Sequence, residues 1–222
     1  FARDSPRVTA KPCCSPPPEK RQSMEYFTTT SAASRRAVDC VIVGIYDRGR
    51  LSSGATDIDA ASKGSLKRLL KNGDISARLG RCAVLTDVVG VKATRVAVVG
   101  LGKYSAFDVA KFRQALGAAL QAVSGTKSRE VLNTLTLEDV SGAGSYYLAR
   151  HTAQTVGEAL YRFTAMKSGK KAPLMPLRKV GLAIAKQGDA AKSKRGAEHG
   201  AAIVAGMSLA KDLGNLPANV CT

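Results

Sequence analysis

From residue 38 onward the chain alternates between short apolar runs and longer stretches with helical spacing. Val38-Asp39-Cys40-Val41-Ile42-Val43-Gly44 is a compact apolar run ended by glycine, the pattern of a strand buried on both faces. Residues 57–71 predict a helix with Ile58, Ala61, Ser65 and Leu69 on one side. Thr56 and Asp59 stand at capping-box spacing before it, and Asn72-Gly73 supplies its stop. Cys82-Ala83-Val84-Leu85 and Arg95-Val96-Ala97-Val98-Val99 predict two more strands. Gly100-Leu101-Gly102-Lys103 then predicts a turn, and Ser105 with Asp108 repeats the capping-box spacing. The helix that follows places Phe112, Leu116, Ala119 and Val123 on one face. Strand, glycine turn and helix make a β-α unit, which implies a parallel or mixed sheet with helices packed on it.

The pattern continues with a strand over residues 130–135 and a helix over 148–163, buried through Leu148, Thr152, Val156, Ala159 and Phe163. A basic, proline-marked loop occupies 167–176, a strand 180–185, and a long alanine-rich helix 190–213. Gly196, Gly200 and Gly206 lower the helix propensity of that last segment, which points to close packing against a neighbour. The fold class is therefore α/β, with a mixed, largely parallel sheet flanked by helices.

Residues 1–23 differ from the rest. Five of the eight prolines lie there among Lys and Arg, a composition that predicts a disordered extension. It lacks the apolar stretch of a signal peptide, and Met24 reads as a plausible translation start, with the preceding residues as upstream read-through or a cloning remnant. With 222 residues and 45% hydrophobic content, the chain fits one globular domain, or one domain and a fragment. No apolar run reaches the roughly 18 residues of a membrane helix. Cys40 and Cys82 sit in strand-like runs, and neither they nor Cys13, Cys14 and Cys221 form a Cys-x-x-Cys pair, so reduced thiols in a cytoplasmic protein are expected.

A formal charge of +17 suggests attraction to nucleic acid, or a set of solvated lysine-rich faces. Lys63, Lys67 and Lys71 illustrate both readings, as an anion-binding ridge or as one solvated face of a helix. No aromatic residues interleave the basic ones as a base-stacking platform requires.

Gly100, Gly102 and Lys103 are the candidate anion site, because a glycine turn before a helix exposes backbone N–H groups. Gly-x-Gly alone completes neither the P-loop nor the dinucleotide fingerprint, so a plain tight turn is the preferred reading. His151 and His199 stand alone, without His-Glu-x-x-His or a nucleophile partner. Asp57, Asp59 and Asp74 read as helix-end residues, and Glu138-Asp139 as a turn. Nothing here gathers the converging oxygen ligands of a two-metal site. No catalytic or metal-binding residue is therefore assigned.

The last twelve residues, Lys211-Asp212-Leu213-Gly214-Asn215-Leu216-Pro217-Ala218-Asn219-Val220-Cys221-Thr222, resemble the domain junction of the leucyl aminopeptidase family, the two-metal cytosolic exopeptidases. Residues 38–44, 98–103 with the helix after them, and 201–222 are similar to bacterial members. Arg68-Leu69-Leu70-Lys71-Asn72-Gly73-Asp74 and Ala159-Leu160-Tyr161-Arg162-Phe163 stand in family order. The likeness spans residues 24–222.

The resemblance implies a macro-domain-like N-terminal domain over 24–188 and, over 189–222, a linker helix and the start of a catalytic domain whose metal ligands lie beyond Thr222. It further implies a full-length cytoplasmic homo-hexamer acting on peptide substrates. That enzyme removes N-terminal residues, leucine favoured, with two divalent ions, manganese or zinc. No ion is expected on this chain, and no peptidase activity from it alone. Some bacterial members bind DNA. Two alternatives accompany this reading: a macro-like module for ADP-ribose or a related phosphate, and a DNA-binding regulator. No membrane association is expected.

Overall fold

A computed structural model describes residues 24–163 and 175–217. The extension at 1–23, most of the 167–176 loop, the last five residues of the junction phrase, and Cys13, Cys14 and Cys221 lie outside the described residues.

Six strands form one sheet in the order β1-β6-β5-β2-β4-β3. They are β1 (Glu25–Thr29), β2 (Cys40–Tyr46), β3 (Cys82–Thr86), β4 (Arg95–Gly102), β5 (Glu130–Asn133) and β6 (Lys179–Ala183). Every pairing is parallel except that of the edge strand β3 with β4. The helices are α1 (Ser53–Ala61), α2 (Ser65–Asn72), α3 (Val109–Ser124), α4 (Ser145–Leu160) and α5 (Ala190–Asn215).

All seven residues of β2 are buried, as its unbroken apolar run requires. Cys40, Ile42 and Tyr46 pack with Phe112, Leu116 and Leu120 of α3 and with Val156 of α4 on one face. Val41, Val43 and Ile45 pack with Ala55 and Ile58 of α1 and Leu66 of α2 on the other. The sheet is thus covered on both sides, with α5 lying against α4 and β1.

Four expectations need correction. Residues 57–71 are not one helix: α1 and α2 are separated at Lys63 and Gly64, both with positive φ (55° and 79°). Ser52, not Thr56, caps α1, its hydroxyl accepting from the Ala55 N–H at 3.2 Å. Asp59 instead accepts from the Lys67 N–H at 3.1 Å, serving the start of α2. The break also means that Lys63, Lys67 and Lys71 do not share one helix face. Third, Asp108 itself caps α3, accepting from Lys111 N–H at 2.9 Å, while Ser105 belongs to a short 3-10 turn. Fourth, α4 ends at Leu160, which leaves Phe163 beyond it. Strand β1 has no counterpart in the sequence reading.

Cys40 is buried and Cys82 half-buried. Burial pushes the two thiols up, to about 12 and about 11. A thiol raised in the fold favours the folded state below its ordinary value near 9, and that contribution is lost as pH rises from 9 towards 12. At pH near neutrality neither is a thiolate, the reactive form. In native protein treated with a thiol reagent, peptide mapping should find Cys40 unmodified and Cys82 modified slowly. Denaturation should make both react; rapid native labelling of Cys40 would contradict this packing.

Candidate functional site

Open α/β sheets bind ligands outside the carboxyl ends of their strands, where neighbouring connections leave in opposite directions. In this sheet β2 connects towards β3 and β4, whereas β5 connects the other way to β6, so the switch point falls between β2 and β5. The walls of this crevice are the β2–α1 connection and the β5–α4 connection.

The chain fills that crevice with its own side chains. Thr134, just after β5, donates to the Ile42 carbonyl through both its N–H (3.2 Å) and its hydroxyl (2.7 Å). A Cβ on Gly54 of α1 would overlap the Thr134 side chain, which is why the helix can approach this closely only with glycine there. Ser52 accepts from the Gly44 N–H at 3.0 Å, tying α1 to β2.

Glu138 completes the seal. Its buried carboxylate accepts from the Tyr46 hydroxyl at 2.9 Å and from the Ser53 N–H at 2.7 Å. α1 has no acidic residue in its first turn, so Glu138 supplies the anion that its N-terminus favours. Tyr46 is held edge-on by Tyr104 and Phe107, with ring centroids 5.0 and 5.5 Å away, and Arg50 stacks over Tyr104 at 3.4 Å. Burial, then the Glu138 charge, pushes the Tyr46 phenol well above its usual value, so it stays a donor.

The sequence-predicted anion site lies elsewhere. Gly100 and Gly102 belong to β4, not to a turn. The Gly100 N–H donates to the Arg81 carbonyl at 2.8 Å and the Gly102 N–H to Ala77 at 3.0 Å. A Cβ on Gly100 would overlap the backbone at Ala77 and Arg78, so this glycine admits a crossing segment of chain. Lys103 is exposed beyond them, and the N-terminus of α3 is capped by Asp108. The backbone donors that the sequence reading offered to an anion thus serve the protein itself.

A cavity of about 200 Å³ remains one strand over, between the β5–α4 connection and the start of α5. Its polar lining is Thr136, Glu138, Ser145, Asp189 and Ser193, and its apolar lining includes Leu137, Leu148, Leu182 and Ile184. No local pattern marks it, because its parts come from four separate segments. His151 and His199 take no part: His151 contacts Gln154 at 3.1 Å and His199 the Tyr146 hydroxyl at 2.7 Å. Among the described residues no group of three or more His, Cys, Asp or Glu could hold a metal ion. Nor is any described helix long and apolar enough to cross a membrane.

This architecture is that of a macro-like α/β domain. The chain has a TM-score of 0.59 with a Trypanosoma brucei macrodomain over 77% of its length, at 11% identity, a likeness of fold alone. It has a TM-score of 0.71 with a tomato leucine aminopeptidase variant, covering 90% of this chain and 40% of that one at 18% identity, again a likeness of fold. The bottromycin maturation enzyme BotP is 27% identical, with a TM-score of 0.60, covering 84% of this chain and 34% of that one.

Residues 42–170, more than half of the chain, match the model of the cytosol aminopeptidase family, N-terminal domain, and the chain belongs to that family. It is 41% identical over 183 residues to a probable cytosol aminopeptidase of Alkalilimnicola ehrlichii, covering 82% of this chain and 37% of the relative. A probable cytosol aminopeptidase of Paraburkholderia phymatum is 38% identical over 184 residues, covering 83% of this chain and 36% of the relative. The chain therefore spans somewhat more than a third of the length of these relatives.

Proposed function

We propose that this chain is the non-catalytic N-terminal lobe of a metallo-aminopeptidase, which removes N-terminal residues, leucine favoured, from peptides. The observation that carries the proposal is the family match to an N-terminal domain, in a chain covering 37% of a relative named as a probable aminopeptidase. On this reading residues 24–188 are the lobe, and 189–222 lead into a catalytic domain outside this sequence.

The full enzyme would use two divalent ions, manganese or zinc, and work as a cytoplasmic homo-hexamer. BotP, at 27% identity, has a solved structure in complex with Mn, which supports the choice of metal. The described residues offer no donor set for such ions, so the metals and the chemistry are assigned to the other domain. The outer half of α5 also supports a two-domain reading. Residues 201–210 carry no charge, and Ile203, Leu209 and Leu213 are 38%, 55% and 50% exposed. Exposed apolar surface of this kind marks a face that another domain covers.

The test compares this chain with the longer reading frame. The purified chain, supplied with manganese or zinc, should release no chromophore from a leucyl anilide, and the longer protein should. Turnover by residues 1–222 alone would overturn the assignment of the chemistry to another domain. A longer protein that is inert on every aminoacyl anilide would overturn the activity itself.

A further inference from the structure

We propose that the cavity between the β5–α4 connection and α5 is a binding site for a free, zwitterionic α-amino acid with an aliphatic side chain. The starting point is Ser193, which is only 2% exposed, lines the cavity, and has no hydrogen-bond partner for its hydroxyl among the described residues. A hydroxyl that faces a cavity without a protein partner bonds to water there, which an incoming polar group can replace.

Three further features set the ligand's chemistry. The N-terminus of α4 begins at the cavity wall with Gly144 and Ser145, and no side chain caps it. Its first-turn N–H groups and the Ser145 hydroxyl favour a carboxylate. Opposite in sign is Asp189, a half-buried residue of the cavity lining with no ion pair or side-chain hydrogen bond to a described residue. It favours an ammonium. Thr136 and Glu138 are already engaged, the first with the Asn133 and Ala183 carbonyls and the second with Tyr46 and Ser53. Leu148, Leu182 and Ile184 form the apolar wall, at 3%, 1% and 6% exposure.

Size and charge decide against the other ligands that this fold invites. About 200 Å³ lies below the roughly 300–1,000 Å³ of sites for larger molecules, too little to enclose a dinucleotide-like ligand. A phosphate would bring two negative charges against Glu138 and Asp189, with one helix terminus to offset them. A zwitterion satisfies both signs at once. On the aminopeptidase reading, such an amino acid is also the class of product released, and the lobe would then sense product. The binding itself does not depend on that reading.

The test is a proton–nitrogen NMR titration of this chain with L-leucine at millimolar concentration. Shifts should concentrate at the amides of Gly144, Ser145, Tyr146 and Ser193. Leucinamide, lacking the carboxylate, and 4-methylpentanoate, lacking the ammonium, should each bind at least about tenfold more weakly, as should L-leucine to the Asp189→Asn variant. Ser193→Val, which narrows the cavity and removes the hydroxyl, should abolish the shifts while the spectrum stays dispersed. Inorganic phosphate should produce none at these amides. No localised shifts with L-leucine, equal shifts with leucinamide, or unchanged affinity in Asp189→Asn would each overturn the site. The aminopeptidase assignment would stand or fall separately, on activity of the longer protein.

Discussion

Gly196→Val should lower the stability of this domain by about 3 kcal/mol, the upper end of the range for overpacking. A Cβ at Gly196 would overlap the Tyr146 carbonyl of α4, and at Gly200 it would lie 2.6 Å from the Arg150 carbonyl. In return α4 receives Val204 against Gly157. The obstacle at both positions on α5 is backbone, which cannot rotate away, so the helices must separate and the packing of Ala149 with Ala197 and Leu182 goes with them. For a chain of this size the melting temperature should fall by about 6–12 °C. Gly206 on the same helix has nothing within 4 Å, so Gly206→Ala should gain the helix-propensity difference of about 1 kcal/mol. Opposite signs on one helix are the signature. Equal, small effects at both positions in thermal melts would mean that α4 and α5 do not meet as described.

Glu138→Leu should be comparably damaging. The substitution removes the acceptor for the Tyr46 hydroxyl and the Ser53 N–H, two buried donors whose abandonment costs about 1–3 kcal/mol each. Burial of the new apolar side chain offsets part of this, leaving a net loss of about 3 kcal/mol. Glu138→Gln keeps an acceptor of the same shape and should cost about 1 kcal/mol. Chemical denaturation of the three proteins measures the difference. A leucine variant as stable as the parent would mean that the carboxylate does not hold the two connections together.

The central strands and α3 were legible in the sequence because their burial is local and periodic. Phe112, Leu116, Ala119 and Val123 all reach the core, as the 3.6-residue spacing requires. The break between α1 and α2 was hidden because Ile58 and Leu66 bury on the same side of the sheet, so the apolar rhythm runs on across the interruption. Strand β1 was missed because Glu25, Tyr26, Phe27, Thr28 and Thr29 carry no aliphatic run, and their pairing partner lies far along the chain. Glu138 read as a turn residue. Two signals pointed to it: a tyrosine inside a buried strand needs a hydroxyl partner, and a helix beginning Ser53-Gly54-Ala55 has no acid of its own. What no local pattern encodes is that these two needs are met by one carboxylate about 90 residues away.

The pairing of β1 with β6 sets a schedule for biosynthesis. Glu25 meets Lys179 and Thr29 meets Ala183, so the earliest-made strand has no partner until about 150 further residues have left the ribosome. During that interval its aromatic edge, Tyr26 and Phe27, is available to chaperones or to strands of neighbouring nascent chains. β1 can therefore join the sheet only after β6 has been made, later than the pairing of β2 with β4 and β5.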